Sequence, residues 1–142
     1  MAAAKPRIIS YELPGDWTVW VGATDADNDY LSTQMAEPND WWFHVDNLPG
    51  SHVILRARSD AEPGRETLKQ AAAVAAYHSK ARNARIVPVH CTRARHVRKP
   101  RGAKTGTVRV ERGSVLKVRP DISFATRVRA ADASEAPPSR EA

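Results

Sequence analysis

"WWFHVDNLPGSHVILRAR", residues 41–58, is the stretch from which the rest of the chain is read. Its two ends are rich in aromatic and β-branched residues, and "DNLPG" (46–50) between them supplies the Asp, Asn, Pro and Gly that tight turns use. It reads as a β-hairpin of "WWFHV" (41–45) and "SHVILRAR" (51–58). Side chains alternate across a strand, so Trp41, Phe43 and Val45 share one face with Val53, Leu55 and Ala57. That face is apolar enough to be core. The other carries Trp42, His44 and Asp46 with His52, Ile54, Arg56 and Arg58, and it is expected to be wet. An indole, two imidazoles and a guanidinium on one surface suit RNA, since each stacked base is worth about 1–3 kcal/mol and cations hold the phosphates.

Further elements lie on either side. "WTVWVG" (17–22) reads as a strand, followed by "TDADND" (24–29) as a solvated loop. "ETLKQAAAVAAYHSKARN" (66–83) has strong helix formers and no Pro or Gly. Leu68, Ala72, Ala75 and Ser79 recur along it at helical spacing, a stripe of small side chains that lets a helix lie close on a sheet. "RIVPVHC" (85–91) reads as a strand whose Pro88 suggests an edge or a bulge. "TVRV" (107–110) and "SVLKV" (114–118), separated by "ERG", read as a second hairpin. This order predicts a single α+β domain, an antiparallel or mixed sheet with one main helix packed on one face. The folded part is expected over 10–125, with a flexible N-terminus (1–9) and a disordered tail (126–142) of Ala, Ser, Pro and charge.

With 142 residues, 42% hydrophobic and 27% charged, the chain suits one folded domain. No apolar run approaches the roughly 20 residues of a membrane helix, and "MAAAKPR" is not a secretory signal, so a soluble, cytoplasmic protein without a membrane partner is expected. A lone cysteine, Cys91, excludes an internal disulfide and a cysteine-based zinc site, and its alternation with Val87 and Val89 places it on the apolar side. The net charge of +6 is unevenly spread: residues 1–48 carry two cations against eight acids, and 93–119 carry ten cations against Glu111 alone. Such a basic segment attracts polyanions. Its centre, "VRKPRGAKTG" (97–106), sets Arg98, Lys99, Arg101 and Lys104 around Pro100, with Gly102 and Gly106 free to aim backbone N–H groups at an anion.

An enzymatic reading would draw on His44, His52 and His90 with Asp40 or Asp46 as an acid–base or metal cluster. No histidine pair has helical ligand spacing, and nucleic-acid contact accounts for the same residues. The run Asp25, Asp27, Asp29 lacks the glycine and terminal glutamate of a calcium loop. No catalytic residue, metal or cofactor is assigned.

Four segments in order, "DWWFHV" (40–45), "LPGSHVIL" (48–55), "AYHSKAR" (76–82) and "VRKPRGAKTGTV" (97–108), together resemble the NFACT-R domain, the RNA-binding module of proteins of ribosome-associated quality control. The likeness covers about residues 10–120. It implies functional roles for Asp40, Trp42 and His44; for Pro49, Gly50, Ser51 and His52; for Ser79, Lys80 and Arg82; and for Arg98, Lys99, Pro100, Gly102, Lys104 and Gly106. Two departures stand out. Gly22, Ala23 and Thr24, followed by Asn28 and Asp29, stand where the family tends to have Gly-Arg-Asn and Asn-Asp, and Thr105 stands where it often has proline. The chain looks like a standalone version of the domain.

The resulting expectation is a non-catalytic module binding structured RNA, either tRNA or the rRNA of the large ribosomal subunit. Its contacts are expected from Arg98, Lys99, Arg101, Lys104, Trp42, His44, His52, Arg56, Lys80, Arg82 and Asn28. The alternative is a small RNA-modifying enzyme or adaptor subunit, as in tRNA uridine thiolation.

Overall fold

Trp42 lies directly opposite Ile54, and Phe43 opposite Val53, in the computed structural model, which describes residues 6–128; the hairpin forms with its two apolar sets on one face. In chain order the elements are β1 (Ile8–Leu13), β2 (Trp17–Gly22), α1 (Asp25–Tyr30) running on into a π-helical turn (Leu31–Met35), β3 (Trp41–Val45), β4 (Val53–Leu55) and α2 (Arg65–Tyr77). These are followed by β5 (Val87–Arg93), β6 (Val97–Arg98), β7 (Arg109–Val110), β8 (Ser114–Val118) and β9 (Thr126–Val128). Seven strands form one sheet in the order β8-β5-β3-β4-β2-β1-β9, every neighbouring pair antiparallel, and β6 and β7 form a separate ribbon. The α+β class with one main helix, α2, on one face of the sheet holds.

The first face is core, as alternation requires. Ala71 through Ala76 of α2 are all buried and pack with Phe43, Val53, Leu55 and Val89. Methyl side chains let the helix backbone approach the sheet closely. The helix stops at Tyr77, short of the expected residue 83, because the chain there is clipped to the β3–β4 turn: Ser51 N–H donates to the His78 carbonyl and Lys80 N–H to the Pro49 carbonyl, each at 3.0 Å. A Cβ on Gly50 would stand 2.8 Å from Ser79 Cβ, so this close crossing needs glycine.

The second face differs from expectation. Ser10, Trp20, Ile54, Trp42 and Thr92 lie in one transverse row across five strands, and Trp20, Ile54 and Trp42 join Ile8 and Leu31 in a second core. Trp42 is only 3% exposed. Met35 of the π turn and Ala36 after it, with Val97 and Val110 of the ribbon and Val108 just before β7, cover it. Alternation tells which side chains share a face, and two indoles beside an isoleucine make a strip too apolar to leave open.

That cover also explains why the second expected hairpin does not form. Val108 and Val110 belong to the core under Trp42, whereas Leu116 and Val118 belong to the core under α2. The two segments serve opposite faces of the sheet and cannot pair with each other. β7 pairs with β6 and β8 with β5. Gly113 makes the crossing between them, where a Cβ would meet the Cys91 carbonyl and Thr92 at 3.1 Å.

"TDADND" is a helix start and not a solvated loop. The Thr24 hydroxyl accepts the Asp27 N–H at 3.2 Å and donates to the Asp27 carboxylate at 2.8 Å, and that carboxylate also accepts the Arg7 N–H at 2.9 Å. Such reciprocal capping satisfies donors that a helix terminus leaves open. Pro88 sits in β5, an interior strand. Its carbonyl accepts the Asp46 N–H just beyond the end of β3, so the N–H that proline lacks would face Asp46 there, and only the terminal bond of the ladder is forgone. β1 begins within the stretch read as a flexible N-terminus and β9 lies within the one read as a disordered tail; residues 1–5 and 129–142 lie outside the described residues. No described helix is long and apolar enough to cross a membrane.

Three buried polar arrangements tie these layers together. The Asp40 carboxylate, 1% exposed, accepts the Glu37 N–H (2.8 Å), the Ala57 N–H (2.7 Å) and Arg56 Nε (3.1 Å), joining the start of β3 to the chain leaving β4. Trp42 Nε1 donates to Ser32 Oγ at 3.0 Å, and Ser32 Oγ lies 2.7 Å from Nδ1 of buried His52. The Tyr11 hydroxyl meets His78 Nε2 at 2.8 Å. Burial lowers the pKa of His52 to about 4, with the neighbouring His44 adding to the effect. Burial, with Arg82 and Arg127 nearby, does the same to His78.

Asp40→Ala removes one acceptor from three donors, and the expected loss is about 3 kcal/mol of unfolding free energy, read from a denaturant titration. The two histidines give a pH signature of definite sign. Both are neutral when folded down to about pH 4 and protonate near 6.5 when unfolded, so the unfolded chain binds more protons between these values. Stability is therefore full above pH 6.5 and falls as the pH is lowered toward 4, and His78→Gln should flatten part of that fall in a series of melting curves.

Candidate nucleic-acid interface

Two consecutive β-turns build the loop that joins β6 to β7. Ala103 N–H donates to the Pro100 carbonyl (3.0 Å) and Thr107 N–H to the Lys104 carbonyl (2.9 Å). The third residue of each turn is a glycine with positive φ, Gly102 at 79° and Gly106 at 86°. This is the geometry in which that position favours glycine. Thr105 occupies the second position of the second turn, where proline is favoured.

The loop is fastened from three sides. Lys99 turns inward, and its Nζ donates to the carbonyls of Lys104 (2.5 Å) and Thr107 (2.9 Å) while pairing with the Asp29 carboxylate at 3.2 Å. Gly106 lies against α1, with no room for a Cβ beside Asp25 (2.9 Å to Cγ). The Gly106 carbonyl also faces the His52 ring. Beneath the loop, Ser32 joins Trp42 to His52.

With Lys99 committed to the loop itself, the charge available to a ligand is at the tip. Arg101 and Lys104 are exposed and make no ion pair among the described residues. Arg98 is exposed but pairs with Glu111 at 2.7 Å.

Beside the loop, across Asp25, lies a cleft of about 380 Å³. Its walls come from Thr24 and Asn28 at the start of α1, from the turn Pro49–Ser51, and from His78–Lys80 and Arg82 just past α2. Two of the four motif segments therefore meet here, at the Gly50–Ser79 bridge. Lys80 and Arg82 are exposed at its edge. Arg82 is held in place, with its Nε donating to the Tyr77 carbonyl (2.8 Å) and its guanidinium 4.2 Å from the Tyr77 ring centre.

The structure thus divides the expected site residues. Arg101, Lys104, Lys80 and Arg82 are exposed and Arg98 is exposed but paired, whereas Trp42, His52 and Asn28 are buried. The Asn28 side-chain carbonyl accepts the His52 N–H at 3.0 Å, and a Cβ on Gly22 would run into it at 2.2 Å. Arg56 lies 4.4 Å over the Trp20 ring and is bonded to Asp40, so it is an internal ion pair. His44 is partly buried beside His52, with ring centres 5.4 Å apart, and burial lowers its pKa. Sequence reasoning passed over Ser32, the link between Trp42 and His52, which lies in no motif, and it did not foresee Asp29 as the partner of Lys99. Cys91 is buried in the first core, which raises its pKa to about 11 and leaves it a thiol at neutral pH. Among the described residues no three histidine, cysteine or carboxylate side chains are gathered closely enough to hold a metal ion.

Comparison with known proteins agrees with this anatomy. The family profile described as "NFACT protein RNA binding domain" matches residues 9–112. The Rqc2 homolog RqcH of Bacillus subtilis (strain 168) is 41% identical over 117 residues, covering 82% of this chain and 20% of that protein. RqcH of Streptococcus suis is 38% identical over 106 residues, covering 75% and 19%. The chain therefore spans about a fifth of the length of these curated relatives. Among solved structures, the C-terminal part of the fibronectin/fibrinogen-binding protein of Streptococcus suis superposes with a TM-score of 0.74 at 35% identity, covering 85% of this chain and 47% of that one. With a profile matched over most of its length and the fold in common, the chain belongs to the NFACT-R family.

Proposed function

We propose that this chain is a non-catalytic RNA-binding module that grips structured RNA, tRNA or large-subunit rRNA, in the cytoplasm and in association with the ribosome. The observation that carries the reading is the division of labour in the basic loop. Lys99 fixes the shape of the loop from inside, and Arg101 and Lys104 stand unpaired at its tip. A preorganised loop loses little entropy on meeting a ligand. Lys80 and Arg82 continue the positive surface across the cleft, and structured RNA is held largely through phosphates and 2′-hydroxyls. Family membership and the similarity to RqcH support the same reading and a place in ribosome-associated quality control. Of the residues an acid–base mechanism would call on, His52 is buried on Ser32 and out of reach of a substrate.

Binding measured against salt concentration tests the proposal. The expected affinity falls steeply with salt, and the Arg101→Ala, Lys104→Ala double variant flattens the log–log slope by about 0.7 for each single-strand phosphate it leaves unneutralised. A slope unchanged by that double variant removes the loop tip from the interface. Lys99→Ala should instead lower affinity through a disordered loop, visible as faster amide exchange over 99–107. Trp42→Ala is expected to cost about 3–5 kcal/mol of stability through a core cavity, so any loss of binding follows unfolding.

A further inference from the structure

A groove of about 670 Å³ runs along the β6–β7 ribbon, between it and the chain from Ser32 to Pro38; Arg98, Lys99 and Pro100 at the base of the basic loop line part of it, and the loop tip does not enter it. Its floor is aliphatic: Ala94 is buried, and Ala36 and Val97 are partly buried against the Trp42 core. Two exposed arginines, Arg95 and Arg109, stand at its rim. Arg109 makes no ion pair among the described residues, and Arg95 is exposed and donates one bond to the Asn39 side chain. Two carboxylates also line it: Glu37, 67% exposed and 4.0 Å from Arg56, and Glu111, which is neutralised by Arg98 at 2.7 Å.

These features specify a ligand. The volume lies within the range of about 300–1,000 Å³ usual for small-molecule pockets. A duplex hides the faces of its bases and has nothing to lay on an aliphatic floor, whereas an unstacked base has a bare apolar face. Guanidinium planes stack on such bases and hold their phosphates. The Glu37 carboxylate repels phosphate and accepts hydrogen bonds from a base edge, so a base and not a phosphate fits beside it.

We propose that this groove takes one unstacked nucleotide from a single-stranded stretch adjoining the RNA held by the loop tip. The inference rests on the RNA-binding reading above and assigns Arg95 and Arg109 to the base and its phosphate.

The test compares a blunt RNA duplex with the same duplex carrying a short single-stranded overhang, by fluorescence anisotropy on the intact chain. The wild type should bind the overhang form about tenfold more tightly. The Arg95→Ala, Arg109→Ala double variant should lose that advantage while holding its affinity for the blunt duplex within about twofold. Thr33→Leu, which crowds the groove without changing its charge or adding a ring to stack on, should do the same, and unchanged melting curves would confirm that both variants are folded. No preference for the overhang in the wild type, or an equal weakening on the two RNAs, overturns the groove assignment and leaves the loop-tip interface standing. A wild type that binds neither RNA overturns both.

Discussion

The buried contact of Trp42 with Ser32 and His52 is the constraint on which the functional surface depends. A sheet with one apolar face needs one covering layer; this sheet has two apolar faces, and its second cover is made from the π turn and the ribbon that carries the basic loop. Burying that face costs the indole N–H and the imidazole their contact with water, and each must find a partner inside. Ser32 satisfies both, and the His52 ring then faces the loop backbone at Gly106. The hydrophobic effect thus sets where the ribbon lies, and a few hydrogen bonds set how its loop is presented.

Charge follows the same logic. The acidic N-terminal third and the basic segment from residue 93 look in sequence like two independent tendencies, yet the fold stacks one on the other. Asp29 pairs with Lys99 and Asp25 abuts Gly106, so the acidic side of α1 is the seat of the basic loop. One lysine neutralised at the base allows the remaining tip charges to be held close together and still point outward. Lys99 and Arg101 are two residues apart and differ in surroundings: one is held by Asp29 and the loop carbonyls, and the other is exposed and makes no ion pair among the described residues.

How much of this was legible depends on the kind of signal. Faces of the central hairpin could be read because alternation is strict over 41–45 and 53–55, and the alanine run of α2 announced a close-packed helix. The second core could not be read so directly, because its cover comes from Met35, Val97, Val108 and Val110, which are scattered in sequence and become neighbours only through the fold. The "TVRV" and "SVLKV" segments had the right length and spacing for a hairpin, but nothing local reveals that their valines face opposite layers. α1 did carry a sign, Thr24 three residues before Asp27, masked by turn-forming Asp and Asn. Within the site, composition located the basic loop and the glycine spacing matched its two turns. Which cations were already spoken for was hidden, since Asp29, Asp40 and Glu111 lie far from their partners in the chain or outside the loop.

The pairing of β1 with β9 has a mechanical side. The two strands run antiparallel, with Ser10 opposite Val128, so polypeptide entering at Ile8 and leaving after Val128 does so at the same corner of the sheet. Tension applied through those two points would act across the β1–β9 ladder and break its hydrogen bonds in succession, as a zip opens, instead of shearing them all at once. β9 is three residues long, so it is the element that would peel away first, while the ribbon, its loop and both cores stay assembled behind β1.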